Sequence, residues 1–452
     1  MKLIYGVKDK PKFGQILIFA FQQLLAILAA TIAVPSIIGN GMSQSAALFG
    51  AGVGTIIYLL FTKFRSPVFL GSSFAFIGSM FAAFGGAASI SAGYAGLLIG
   101  AIFAGLVYVI IAIIVKFAGV KWIAKLMPSV VIGPTVAIIG LSLARNAIGD
   151  ALKFSEQAID LNNHGSLTYT MTTKGWLGLI CAVVTVLVVV LCSVYGKKTL
   201  KLIPFIMGIL AGYVVAAIFT VIGIKTGNDT FRIIDFSLFA NMQWYPDFSF
   251  LQAAKGLKEI NAQYIATVAV AYIPVAFVVF AEHIADHKNL STIIDQDLLE
   301  EPGLHRTLLG DGVGSVVGAF FGGCPNTTYG ESVGCVAITK NASVVTILAT
   351  AILAILASFV APFVTFLATI PACVMGGVCV TLYGFIAVSG LKMLHNVNLS
   401  NNKNLFVASV ILIAGIGGMS LQIGKINITA IACALISGII VNLVVSKGKD
   451  EE

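Results

Sequence analysis

Charge is what this chain has little of. Lys, Arg, Asp and Glu supply 10% of its 452 residues, where soluble domains carry about 25%. Apolar side chains supply 58%, so a water-soluble globule is excluded and a polytopic membrane protein is expected. Paired cysteines are missing as well. The seven cysteines, at 181, 192, 324, 335, 373, 379 and 433, are scattered through apolar segments without a C-x-x-C spacing. That argues against a disulfide framework and against a zinc site. A cleavable leader is not evident, because Lys2, Lys8, Lys10 and Lys12 run into an apolar segment of full spanning length. The net charge of +8 is no sign of a nucleic-acid partner, since the lysines sit at the ends of apolar segments, where orientation signals belong.

What is present is a succession of apolar runs. About fourteen can be placed, near 14–38, 45–62, 68–85, 91–115, 127–146, 175–196, 202–224, 262–284, 306–322, 330–340, 343–364, 371–391, 404–420 and 427–446. The third and tenth are short and follow polar, Pro-containing stretches. With the N-terminus inside, 19 of the 27 Lys and Arg fall in cytoplasmic segments, and the rest mostly in two long outer loops at 147–174 and 225–261. Long loops count less in this asymmetry, so both termini are expected in the cytoplasm and the protein in the cell membrane, surrounded by lipid.

The chain repeats itself. Leu48-Phe49-Gly50-Ala51-Gly52-Val53-Gly54-Thr55 returns as Leu308-Leu309-Gly310-Asp311-Gly312-Val313-Gly314-Ser315, and Pro128-Ser129-Val130-Val131-Ile132-Gly133 as Pro371-Ala372-Cys373-Val374-Met375-Gly376. Gly-rich helix packing produces such matches by chance, but two of them in the same order point to duplication. Seven spans per half is an odd number, so the halves must be inverted. The expected fold is all-α, with fourteen transmembrane spans as seven-plus-seven inverted repeats. Repeats of this kind, with interrupted helices in matching positions, mark secondary transporters that bind solute near the midplane.

The most informative segment is Cys324-Pro325-Asn326-Thr327-Thr328-Tyr329-Gly330-Glu331, a polar interruption between apolar runs. Irregular backbone at membrane depth is tolerated only inside protein or against a wet cavity. Following the first repeat forward aligns Ser66-Pro67 with Cys324-Pro325, and Leu70-Gly71-Ser72-Ser73 with Tyr329-Gly330-Glu331-Ser332. Each half is therefore expected to send a short extended stretch into a half-helix, in spans 3 and 10. The two half-helix N-termini would face each other and offer free N–H groups to carbonyl oxygens or anions.

Acids at membrane depth are functional by default, and four stand out. Glu282 ends span 8, Asp286 follows one turn later on the same face, Asp311 interrupts span 9 and Glu331 opens half-helix 10. Each also has a structural reading, as an N-cap, a snorkelling carboxylate or a helix-packing partner. His283-Ile284-Ala285-Asp286-His287 superficially matches a zinc helix, but Asp replaces the longer Glu and no third ligand is evident. No metal is expected, and the two histidines are expected near the cytoplasmic end, incidental or tuning the carboxylates.

Ala281-Glu282-His283-Ile284, Pro302-Gly303-Leu304-His305-Arg306 and Pro325-Asn326-Thr327-Thr328-Tyr329-Gly330-Glu331 together resemble the nucleobase–ascorbate (nucleobase:cation symporter-2) transporters, their uracil permease branch above all. Gly71-Ser72-Ser73-Phe74-Ala75-Phe76 and Tyr383-Gly384 resemble it too, so the similarity runs over essentially the whole chain. The resemblance implies a core domain (1–126 and 262–364) and a gate domain (127–261 and 365–452), and a homodimer. It implies a substrate site in which Glu282 and Glu331 accept from ring N–H groups, and backbone amides at Phe74 and Gly330 donate to carbonyl oxygens. Tyr329 belongs to the signature itself, and Tyr383 would close the site from the gate side. Three positions depart from the pattern: Ser332 replaces the usual Asn, Asp286 replaces a His, and Gln23 stands where span 1 often has His.

The expected function is uracil:proton symport by alternating access, without enzymatic activity or cofactor. Uracil is neutral at pH 7, so uphill uptake needs a coupled ion, and a carboxyl group drawn out of water is a usable proton carrier. Glu282 is the first choice, Asp286 a relay, and Na⁺ the other ion to test. Asp286 with Asp311 is reminiscent of purine-transporting relatives, so xanthine is the alternative substrate. An anion exchanger of the same fold is disfavoured by the acids and by the short Ser446–Glu452 tail. A metallohydrolase on His283, Asp286 and His287 and a passive channel are weaker readings.

Overall fold

A computed structural model of the chain describes residues 3–119, 122, 128–160, 166–197, 199–395, 397–423 and 426–446. Several residues used in the charge count (Lys2, Lys121, Lys125, Lys198, Lys447 and Lys449), the expected boundary at 126 and the end of the C-terminal tail lie outside the described residues.

Two compact units are present. The first comprises Met1–Ser142, Tyr245–Phe359 and Phe385–Glu452; the second comprises Leu143–Trp244 and Val360–Gly384. In chain order the first unit holds α1 (Phe13–Ile38), α2 (Gln44–Phe61), β1 (Leu70–Ser72), a 3₁₀ turn at Phe74–Phe76 leading into α3 (Ile77–Gly85), α4 (Ile90–Ala118) and α5 (Ser129–Ser142). The second unit takes α6 (Ala144–Ala151), the hairpin β2 (Glu156–Asp160) and β3 (Ser166–Thr170), α7 (Thr173–Tyr195) and α8 (Pro204–Thr226). The chain returns to the first unit at Tyr245 and, after a short helix at Ser249–Gly256, forms α9 (Ala262–Ile294), α10 (Leu304–Gly322), β4 (Asn326–Thr328), α11 (Gly330–Thr339) and α12 (Val344–Ala357). After α13 (Ala361–Ala368) and most of α14 (Ala372–Met393), it ends with α15 (Asn402–Ile416), the hairpin β5 (Leu421–Ile423) and β6 (Ile426–Ile428), and α16 (Ala430–Val445).

Every one of the fourteen apolar runs falls on a helical element. Among the described residues eight helices are long and apolar enough to cross a bilayer, nine if α12 and α13 count as one broken span. Those at Phe74–Gly85, Asn402–Ile416 and Ala430–Val445 are shorter. Many helices start where a side chain accepts one of the amides that helical bonding leaves over: Ser43, Ser89, Thr172, Asn261 and Thr429 cap α2, α4, α7, α9 and α16.

Three features differ from the sequence expectation. The run 343–364 is not one helix, because it breaks between Ala357 and Ala361 where the chain changes units. The loops at 147–174 and 417–429 contain the β2–β3 and β5–β6 hairpins. Most important, α9 does not stop near 284 but continues to Ile294. The apolar run ends at Ala281 because the next turns carry polar side chains, and their burial keeps the helix going.

The centre of the first unit is α10, packed on α2 and α4. Glycine makes this approach possible. A Cβ on Gly54 would lie 2.7 Å from the Gly314 carbonyl oxygen, and one on Gly314 would lie 2.8 Å from the Gly54 carbonyl oxygen. These are matched positions of the two similar Gly-rich segments, and their contact is reciprocal. Gly50 meets Gly318 backbone in the same way, while Gly14 on α1 is open. Gly54→Leu or Gly50→Leu should therefore destabilise the protein by about 1–3 kcal/mol or prevent folding. Gly14→Leu should leave the thermal melting of the detergent-purified protein unchanged.

Candidate functional site

The polar interruption becomes a strand. Leu70, Gly71 and Ser72 of β1 pair antiparallel with Thr328, Thr327 and Asn326 of β4. The Ser73 amide donates to Pro325 O at 2.9 Å, and the Tyr329 amide to Phe69 O at 3.3 Å. Side chains take the backbone groups that this short ladder leaves over. Thr55 Oγ1 accepts from the Leu70 amide at 2.9 Å, Ser332 Oγ accepts from the Phe69 amide at 3.0 Å, and the Tyr329 hydroxyl donates to Ser72 O at 2.8 Å. Gly71 is required, because the Tyr329 ring occupies the space its Cβ would need. Asn326 reaches out of β4 to donate from Nδ2 to Gly50 O at 3.1 Å, over the close α2–α10 crossing.

Each strand then runs directly into a helix start, β1 into Phe74 and β4 into Gly330. Phe74 and Tyr329 are buried, whereas Gly330, first residue of α11, is exposed. Glu331 follows it in the first turn, half-buried, where the helix dipole favours a carboxylate. Glu282 and Asp286 stand one turn apart on α9, both half-buried. Glu282 is within electrostatic range of Glu331 and Asp311, and Asp286 is within range of all three.

Asp286 is more than a neighbour of Glu282. Its Oδ2 accepts from Thr328 Oγ1 at 2.8 Å, and its Oδ1 lies 3.8 Å from where a Cβ on Gly330 would be. The carboxylate therefore sits at the junction of β4 and α11. Gln23, buried on α1, donates from Nε2 to Ser332 Oγ at 2.5 Å. The two departures from the family pattern at 23 and 332 are thus one contact, a short amide–hydroxyl pair.

The histidines are not surface residues. His283 and His287 are fully buried and stack at 4.0 Å between ring centroids. His283 Nδ1 is 2.7 Å from Asp311 Oδ2, and its Nε2 is 3.0 Å from Thr307 Oγ1. His287 Nδ1 is 2.8 Å from the His283 carbonyl oxygen, which can only accept, so this nitrogen carries the proton. Its Nε2 then faces the Tyr58 hydroxyl at 2.7 Å. Among the described residues no group of three His, Cys, Asp or Glu side chains could hold a metal ion.

Nine of the ten residues singled out in the sequence lie in the first unit, and the structure gathers Glu282, Asp286, Asp311, Tyr329, Gly330, Glu331, Ser332 and Gln23 around the β1–β4 pair, with Phe74 at the end of β1. Tyr383 belongs to the second unit, buried on α14 one turn after Cys379. Sequence reasoning missed Thr328, which holds Asp286, and Tyr58, which holds His287. Thr328 was inside the motif but had no partner until the strand register set one. Tyr58 carried no sequence signal.

A cluster of acids beside an exposed helix start, in a chain whose described residues include eight helices long and apolar enough to cross a bilayer, is the arrangement of a membrane transporter. The chain belongs to the permease family, whose family model matches residues 14–424, in agreement with the resemblance carried by Pro325–Glu331. It is 35% identical to the uracil permease of Bacillus subtilis (strain 168), with 100% of this chain and 97% of that protein covered. It is 37% identical to the uracil permease of Bacillus caldolyticus (98% and 95% covered) and 34% identical to that of Escherichia coli K12 (97% and 93% covered). These relatives are permeases, and the chain is a multi-pass membrane transporter rather than an enzyme. Among solved structures it shares its fold with the transmembrane domain of a cyanobacterial bicarbonate transporter, BicA, at a TM-score of 0.63 and 16% identity, covering 97% of this chain and 99% of that one. It does so too with murine Slc26a9, an anion transporter, at 0.65 and 12%, covering 97% and 69%.

Ser332 is the joint between α1, β1 and α11. Ser332→Ala removes the acceptor of a buried backbone amide and should cost about 1–3 kcal/mol. The melting temperature of the purified protein should fall, and Gln23→Ala should cost less, since it leaves the Phe69 amide paired.

Proposed function

We propose that the chain is a nucleobase transporter, a uracil:proton symporter that imports uracil across the cell membrane. The observation that carries this reading is the pairing of two half-buried glutamates, Glu282 and Glu331, beside the exposed start of α11. Uracil presents two ring N–H donors and two carbonyl acceptors in one plane. Carboxylates suit the donors, and helix-start amides at Phe74 and Gly330 suit the acceptors. The names of the relatives, uracil permeases matched along their whole length, support the same substrate.

Carboxyl groups drawn together out of bulk water share protons rather than all ionise. On this reading Glu282 takes the coupled proton and Asp286, held by Thr328, relays it. Transport proceeds by alternating access of a core domain (1–126, 262–364) against a gate domain (127–261, 365–452) that contributes Tyr383. The fourteen-span inverted repeat behind this mechanism is supported by the reciprocal Gly54–Gly314 contact and by the paired strands, each opening a short helix. Both termini are taken as cytoplasmic and the working form as a homodimer. Xanthine is the competing substrate, because Asp286 brings a further acid to the start of α11.

In proteoliposomes, labelled uracil should accumulate when the outside is acidic, collapse with a protonophore and persist without Na⁺. Excess unlabelled uracil should compete and excess xanthine should not; the reverse would reassign the substrate. Glu331→Gln should weaken uracil binding roughly ten- to hundredfold. Glu282→Gln should abolish accumulation, and uphill uptake by that variant would remove Glu282 from the coupling step.

A further inference from the structure

A cavity lined by none of the acids lies within the first unit. Its volume is about 680 Å³, and it is walled by one face of α3, the start of α9 and the β5–β6 hairpin. The α3 residues on it are Gly78, Phe81, Ala82 and Gly85, a spacing that places them on a single helical face. One turn earlier stands Phe74, at the helix start assigned above to the proposed substrate. Gly78 is therefore about 6 Å along the helix from the site. The other walls carry amides: Asn261 and Gln263 at the start of α9, and Gln422 on β5.

The glycines of this wall differ from those at the helix crossings. A Cβ on Gly85 would meet nothing within 4 Å, and one on Gly78 would meet only Ile431 Cδ1 at 3.9 Å. Helix packing does not need glycine at either place. What their lack of a side chain does is keep the α3 face clear between cavity and site. Tyr264, whose hydroxyl donates to Ala83 O at 2.7 Å, puts its ring in the wall. Asn261 has spent its Oδ1 on the Tyr264 amide at 2.8 Å, which leaves its NH₂ to donate.

We propose that this cavity is an outer docking subsite, in which a neutral planar solute with amide-like edges is held by Gln263, Gln422 and Asn261 against Tyr264 and Phe81, and is then passed along the glycine face of α3 to Phe74. The inference rests on the nucleobase reading and on the cytoplasmic N-terminus, which puts the start of α9 and the β5–β6 hairpin outside. The volume exceeds what one nucleobase fills, so the solute is held at its edges with water around it. Side-chain amides suit that task because they offer both donors and acceptors without charge.

The test is labelled-uracil uptake into cells, measured beside uracil binding to the purified protein. Gln263→Ala with Gln422→Ala should raise the half-saturating uracil concentration for uptake about two- to tenfold, with the maximal rate kept. Gly78→Leu should cut uptake at least tenfold, and Gly78→Ala less, while both variants elute and melt as folded protein. Gly85→Cys should react with a membrane-impermeant thiol reagent on intact cells, and excess uracil should slow that reaction. Unchanged uptake by the glutamine double variant and by folded Gly78→Leu would overturn the subsite, as would a Gly85→Cys thiol that the reagent cannot reach from outside. A parent chain that takes up no uracil would instead overturn the function on which the subsite rests.

Discussion

Backbone polarity in an apolar medium is the constraint on which the rest of this structure depends. Two stretches of chain stop being helical in the middle of the first unit, and each would carry unpaired amides and carbonyls at a depth where water is scarce. They solve the problem by pairing with each other. Three residues per strand cannot satisfy every group, so Thr55, Ser332 and Tyr329 take the remainder. Each of these side chains comes from a different element, which ties α2, α11 and the end of β4 to one short ladder. In return, the ladder delivers two helix starts to one place.

Bringing the strands together requires the helices beneath them to be close. α2 and α10 meet backbone to backbone at Gly54 and Gly314, and Asn326 fills the space that larger side chains would take. α9 lies alongside with a polar quarter made by Glu282, His283, Asp286 and His287. The two histidines turn inward and are held by Asp311, Thr307 and Tyr58. With its histidines anchored, α9 holds Glu282 and Asp286 at a fixed height beside α11. Glu282 and Asp286 stay half-buried while the histidines hold the helix.

Much of this was legible in the sequence because it is written in contrasts. A polar octet in an apolar chain announced β4 and α11, while the self-match of two Gly-rich segments pointed to duplication and left their mutual crossing unannounced. The acids were legible because carboxylates are rare there. What was not legible was anything set by register or by helix length. The run of apolar residues ended at Ala281, and periodicity gave no reason for α9 to continue to Ile294. Its continuation depends on tertiary partners for His283 and His287, neither of which is near in sequence. Thr328 and Asp286 meet only because β4 pairs with β1 in one register, and the contact of Gln23 with Ser332 crosses 309 residues. The break at 358–360 has an apolar sequence on both sides, so composition could not reveal it.

Each strand of the pair opens a helix, but the chemistry around the two is not the same. Both halves supply a strand and a helix start, and a helix start of either half prefers electron-rich oxygen. The acids come from one half alone, since Glu282, Asp286, Asp311 and Glu331 all lie between 262 and 364. Around β1 the corresponding polar side chains are Ser72 and Ser73, neutral hydroxyls. On the reading proposed above, a solute here would meet acceptors on the side of α9 and α11 and amide donors on the side of α3. An anion would be welcomed by the helix starts and repelled by whichever of these carboxyl groups is ionised, whereas a cation would meet the reverse. The arrangement suits a neutral molecule that carries donors along one edge and acceptors along another. Such a molecule brings no charge of its own to drive accumulation, so on the reading proposed above the carboxyl groups that accept from its donors are also the groups that would carry a proton with it.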